Sequence, residues 1–198
     1  MNLEPETRAQ ALAQQGEAER LGNGGKELGQ QGKFEEPLTR FQQASRLDPS
    51  LKLDPQSEVK KLTPIGLLSQ MESFSAEHQF QEAMAAYTKA ITLDPNVELS
   101  SDTLSSLCWD GSLNDFSQAV LPACEKAVLL SPKAAETRDN RSLARAPTGN
   151  TKGAIEDFQV FMAQTEDRKA QLQRQRWLKT LRAGKNPFTL EELKSLRG

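Results

Sequence analysis

Imidazole chemistry in this 198-residue chain can pass through one side chain only, because His78 is the sole histidine. A thiol hydrolase would need His78 beside Cys108, yet neither lies in a recognisable catalytic signature. His78 falls between two helical stretches and reads as a solvated turn residue. The two cysteines, Cys108 and Cys124, are too few and wrongly spaced for a disulfide framework or a zinc site. Each occupies a small-residue position on a helical stripe, so both are expected as buried thiols in a reducing compartment. Gly22-Asn23-Gly24-Gly25-Lys26 has the glycines and lysine of a phosphate loop but no preceding strand. Glu27 also stands where such a loop needs Ser or Thr. The acidic pairs Glu35-Glu36, Glu156-Asp157 and Glu191-Glu192 are adjacent residues, splayed about 100° apart on a helix, which suits a helix dipole better than a shared acid/base site. No catalysis, cofactor or metal is expected.

Cationic residues are the other source of chemistry. Arg138, Arg141 and Arg145 share one helix face, and the tail adds Arg168, Lys169, Arg174, Arg176, Lys179, Arg182 and Lys185. The formal net charge is only -2, but from Glu166 onward nine Lys/Arg face four Asp/Glu. A basic patch of this kind suits an acidic peptide or a phosphate backbone. With only Trp177 interleaved, a solvated charged face is the preferred reading. A nucleic-acid-binding accessory protein using the basic carboxy-terminal helix is the alternative function, and nucleic acid is not the expected partner.

The elements that must position these residues are helices. Apolar residues make up 36% of the chain, mean hydropathy is -0.63, and Ala, Gln, Leu, Glu and Lys dominate, a composition for helix with much solvated surface. Phe34 to Pro49 recurs as Phe80 to Pro95, with weaker copies at Phe116 to Pro132 and Lys152 to Met162. In the clearest copy Phe80, Ala83, Met84, Tyr87, Ala90 and Ile91 follow the i, i+3, i+4, i+7 spacing of a half-buried helix. Recurrence of this kind marks a stacked helical array.

Small, aromatic, small and Pro positions line up as Ala83, Tyr87, Ala90, Pro95 and as Pro37, Phe41, Ala44, Pro49. The later copies read Val120, Cys124, Ala127, Pro132 and Ala154, Phe158, Phe161 with Gly149 at the turn. In this the chain resembles the tetratricopeptide repeat (TPR), a pair of antiparallel helices of about 34 residues. The first displacement is longer than that period, so an insertion near Ser50 to Lys61 is expected. Leu107-Cys108-Trp109, Arg141 to Arg145, Gly153 to Phe158, Arg176-Trp177 and Asn186-Pro187-Phe188 are similar to the carboxy-terminal tail of large bacterial multidomain proteins. Those proteins join such repeats to WD40 propellers, caspase-like peptidases or signalling NTPases. Ser142 stands where Gly is usual there, and Pro122 and Pro147 also depart from the pattern.

Along the chain, Asn2 to Thr7 echoes Lys52 to Ser57, as though the chain starts in mid-repeat. Five glycines between Ala9 and Gln31 predict a first helix that is frayed or broken, since each costs about 1 kcal/mol against Ala. Pro37 falls in the first turn of its helix, where it is tolerated. Thr63-Pro64 is read as a helix start, Asp102 to Trp109 as a helix ended by Asp110-Gly111-Ser112, and Ser131-Pro132 as the opening of a helix running to Ala146. Pro122 predicts a kink or a late start. Thr165 is the expected cap of a helix burying Ala170, Trp177, Leu178 and Leu181, and Thr189-x-x-Glu192 a capping box. Phe188, Leu193 and Leu196 are expected to dock the last helix.

The reading is an all-α, α-α superhelical, TPR-like solenoid with a carboxy-terminal capping helix. Residues 1–15 form a partial repeat, 16–165 an array of about four helix pairs, and 166–198 the cap. The expected function is a non-catalytic, cytoplasmic protein-interaction scaffold. It would hold a partner protein, a peptide or other domains of a longer parent chain in the concave groove, which the resemblance lines with Leu68, Glu72, Trp109, Asp139 and Leu143. Self-association through exposed apolar surface is allowed for. No apolar run is long enough to span a bilayer.

Overall fold

A computed structural model describes residues 5–197, and the expected echo at residues 2–4 lies outside them. The protein is all-α, and its helices pack as adjacent pairs. Its contacts divide it into two compact units, Met1–Val97 and Glu98–Gly198.

The first unit holds α1 (Pro5–Gln30), α2 (Glu36–Leu47), α3 (Pro55–Ala76) and α4 (Phe80–Leu93). The second holds α5 (Ser101–Leu113), α6 (Ser117–Leu130), α7 (Ala135–Arg145), α8 (Thr151–Gln164), α9 (Arg168–Arg182) and α10 (Leu190–Arg197). The recurring motif falls on α2, α4, α6 and α8, the second helix of each pair. Its small and aromatic positions are buried in all four, from Phe41 and Ala44 to Tyr87 and Ala90, Val120 and Cys124, Ala154 and Phe158. Small side chains let the pair approach closely, and the larger ones fill the space so left.

Each hairpin closes by the same chemistry. Lys33, Gln79, Phe116 and Asn150 donate their N–H to the carbonyls of Leu28, Phe74, Gly111 and Arg145, five residues back. The residue before each donor is left-handed: Gly32, His78, Asp115 and Gly149. This is the Schellman stop, which satisfies the last carbonyls of a helix. Gly184 and Lys185 repeat it after α9. His78 is thus an exposed turn residue, as its position suggested. The second helices stop differently. Asp48 and Asp94 lie just before prolines, which disfavour further helix, and their carboxylates accept from the N–H of Ser50 and Asn96 at 2.9 Å.

Several boundaries differ from expectation. α1 is one continuous helix, not a broken one. Ala18, Gly22, Gly25 and Gly29 form its buried seam, where a Cβ on Gly25 would meet the Phe41 ring at 3.0 Å and one on Gly29 would meet Leu62 at 2.9 Å. Close packing there outweighs the propensity cost of glycine. α3 starts at Pro55, capped by Asp54, so Pro64 lies buried inside it rather than at its start. The extra residues after Ser50 therefore lengthen a helix instead of forming a loop. α5 runs through Gly111, on which a Cβ would come 2.2 Å from Val120. α6 passes through Pro122, which faces outward, and α7 begins at Ala135. Asp167, not Thr165, caps α9 by accepting from the N–H of Lys169 and Ala170.

The core of the second unit ends in an aromatic cluster of Phe158, Trp177 and Phe188 with Leu113, Leu143, Ala154, Leu178 and Leu181, against which Leu193 and Leu196 pack. Trp177 and Phe188 meet edge to face at 5.0 Å between centroids. Thr189 caps α10 as expected, but the Glu192 carboxylate turns inward and accepts from the Trp177 indole N–H at 2.7 Å instead of closing the box. Arg197 bonds the Leu113 carbonyl, tying α10 to α5.

Candidate functional site

The second unit carries its polar chemistry inside. α7 projects Arg138, Arg141 and Arg145 along one face, and α8 sends Asp157 into the same space. Arg141 is bidentate on Asp157, with Nε–Oδ2 2.8 Å and Nη2–Oδ1 2.7 Å. Arg145 Nη1 reaches Oδ2 at 2.9 Å and Arg138 Nη1 reaches Oδ1 at 3.3 Å. Glu125 on α6 closes the network from the solvent side, 2.7 Å from Arg141 and 2.6 Å from Arg145. The Asp157 side chain is 1% exposed and that of Glu125 43%. Burial works against the Arg141 cation, but Asp157 and Glu125 outweigh it and its pKa is raised. One carboxylate with three guanidinium partners is fully satisfied, and the network joins α6, α7 and α8.

A second buried pair lies on another face of α7. Asp139 accepts from Arg174 on α9, with Nε at 3.0 Å and Nη2 at 2.5 Å. Desolvation raises the Asp139 pKa while Arg174 pulls against it. The Arg174 guanidinium also stacks over Trp177 and Phe161, 4.5 and 5.1 Å from the ring centroids. These placements correct the solvated-face expectation for the α7 arginines and Arg174, whereas Arg168, Lys169, Arg176, Lys179, Arg182 and Lys185 are exposed as expected. Arg141, Arg145 and Arg174 are buried or nearly so, and Asp157 neutralises arginines rather than a helix dipole. Ser142, in the glycine position, is fully buried and donates to the Asp139 carbonyl at 2.6 Å, so the departure is absorbed locally.

The cysteines also differ from expectation. Cys108 on α5 and Cys124 on α6 form a disulfide, both side chains buried, and are not free thiols. Sequence separation gave no sign of it. The helix hairpin brings the two Cα atoms to 5.1 Å, within bonding reach.

The five expected groove residues fall in two places. Leu68 and Glu72 lie on α3 of the first unit, Leu68 buried and Glu72 exposed. In the second unit Asp139 is spent on Arg174 and Leu143 is 1% exposed, so neither offers a partner much surface. Trp109 on α5 packs against the Leu143 cluster yet stays partly exposed. The sequence missed Asp157 and Glu125, whose only sign was an acidic residue at helical spacing opposite an Arg triplet.

Two open clefts belong to the first unit. One of about 440 Å³ is lined by Arg20, Leu21, Glu36, Thr39, Arg40 and Gln43. The other, of about 330 Å³, is lined by Glu27, Gln30, Gln31, Ser69 and Ser73. Among the described residues no three His, Cys, Asp or Glu side chains converge to hold a metal ion. No helix among them is long and apolar enough to cross a membrane. Comparison with known proteins returns no matching family model and no curated protein of significant similarity.

Proposed function

We propose that this protein is a TPR-like, non-catalytic interaction module that holds a partner protein or peptide on the surface of its helix pairs. Trp109 anchors the partner in the second unit. The observation that carries this reading is the setting of Trp109. It is a partly exposed indole on a helix fixed by a disulfide and backed by a packed cluster. A rigid aromatic binds with little entropy lost, which is why such residues dominate interfaces. Asp139, Asp157, Arg141, Arg145 and Arg174 are instead consumed in holding the helices together. The nucleic-acid alternative loses Arg141, Arg145 and Arg174 to carboxylates. For the compartment, the disulfide favours an oxidising environment over the cytoplasm expected from free thiols.

Capture from a lysate of the source cell, with the wild-type chain and Trp109→Ala as baits, tests the reading. A protein retained by wild type and lost with the variant, while the variant keeps its helical circular dichroism, supports it. Equal retention by both baits, abolished by nuclease, overturns it.

A further inference from the structure

The two sides of α9 treat cations in opposite ways. On the inner side Arg174 is buried and paired with Asp139. On the outer side Arg168, Lys169, Arg176, Lys179 and Arg182 are all exposed, and Lys185 follows in the turn. Among the described residues none of these six is in an ion pair, and Arg168 reaches only the side-chain oxygen of Gln171, at 3.4 Å. At 100° per residue the five helical cations fall within a sector of about 140°, centred opposite the buried Arg174, Trp177 and Leu181. Leu172 lies in the middle of that sector and is 45% exposed. Like charges so close repel one another, and the arrangement stabilises nothing within the chain. The acidic residues next to it, Glu166 and Asp167, are at the start of the helix, where Asp167 is engaged as the cap.

We propose that the outer face of α9 docks an acidic amphipathic protein segment. An apolar side chain of that segment seats on Leu172 between Arg168 and Lys169 on one side and Arg176, Lys179 and Arg182 on the other. Complementary charge steers the encounter and sets orientation, and the apolar contact supplies affinity that salt does not screen. Leu172 decides between acidic protein and nucleic acid. A phosphate backbone has nothing apolar to meet it, and the only aromatic of the helix, Trp177, is buried on the far side at 3% exposure and cannot stack on a base. The surface is separate from Trp109, so the two interaction readings can fail independently.

The test uses the full chain and a fluorescein-labelled acidic peptide of about 20 residues, long enough to follow α9, with Leu at helical spacing among Glu. Anisotropy is read beside the same peptide with Ser for Leu, a single-stranded oligonucleotide and a DNA duplex. The Leu-bearing peptide is expected to bind in preference to all three. Lys179→Glu with Arg182→Glu should weaken it about tenfold or more, and Leu172→Ser about fivefold. Trp109→Ala should leave it unchanged. Lys179, Arg182 and Leu172 all lie on the exposed side of α9, and far-UV circular dichroism verifies the fold of both variants. Absence of peptide binding, binding indifferent to Leu172→Ser, or an oligonucleotide that binds as well as the peptide would each overturn the proposal. The last outcome would make the face a phosphate-binding one.

Discussion

The two units hold similar helix pairs together by different means. In the first, backbones meet. Gly29 and Gly66 bring α1 and α3 so close that a Cβ on Gly66 would stand 2.3 Å from the Gly29 carbonyl oxygen. The pairs Arg20–Glu17 and Lys61–Glu58 in that unit lie within single helices and join none to another. In the second unit side chains do the joining: a buried carboxylate with three arginines, a second buried pair, a disulfide and an aromatic cluster. Glycine seams tolerate no added atom, whereas charge networks tolerate no lost partner. A repeat architecture therefore constrains helix geometry without dictating which chemistry fills the contact.

That contrast can be tested with built-in probes. Both tryptophans, Trp109 and Trp177, belong to the second unit, and the only tyrosine, Tyr87, is buried in the first. Tryptophan fluorescence therefore follows the second unit, while far-UV circular dichroism follows both. The largest effect is expected from Asp157→Ala, which strands buried arginines and should cost about 3–5 kcal/mol in urea unfolding. The loss should appear in fluorescence. A variant within 1 kcal/mol of wild type would mean that the network is relieved by water and joins nothing. Reduction of the disulfide, or Cys108→Ser with Cys124→Ser, comes next, at about 3 kcal/mol for a loop of this length. Mass spectrometry of alkylated native protein should find no free thiol; two labelled cysteines would restore the reducing-compartment reading.

Gly66→Ala should cost about 1–3 kcal/mol, because backbone atoms cannot move aside as a flexible side chain would. It should shift the circular-dichroism transition and leave the fluorescence transition in place. Movement of both together would refute the separate means of support. The smallest effect has the opposite sign. Gly16 lies in α1 with nothing near its missing Cβ, so Gly16→Ala should stabilise by about 0.5–1 kcal/mol through helix propensity alone. The same substitution at two glycines thus separates contact from propensity.

Much of the fold was legible because helical period and stop signals are local. The stripes of α2, α4, α6 and α8, the Pro37 start, the turns at His78 and Gly149, and the docking of Phe188, Leu193 and Leu196 were all legible in the residue pattern, while the left-handed backbone at those turns was not. The misreadings share one cause. Gly25 and Gly29 in α1 and Gly111 in α5 look like breaks when weighed against propensity, yet each faces a neighbouring helix whose packing outweighs that cost, and Pro64 is buried inside α3. Of the groove residues, only the partial exposure of Trp109 suits a binding role in the second unit. Leu143 and Asp139 turned inward onto partners that other helices supply, the Phe158 cluster and Arg174.

The order of residues by itself determined that this protein is helical, where most helices lie and which face of each is apolar, since those depend on contacts three or four residues apart. Only the tertiary structure decided which charges are neutralised and which remain free, that Cys108 and Cys124 are joined, and that α9 buries one arginine while exposing the rest. Pairing across helices depends on the angle and distance at which two faces meet. Those are properties of packing that no single stretch of sequence contains.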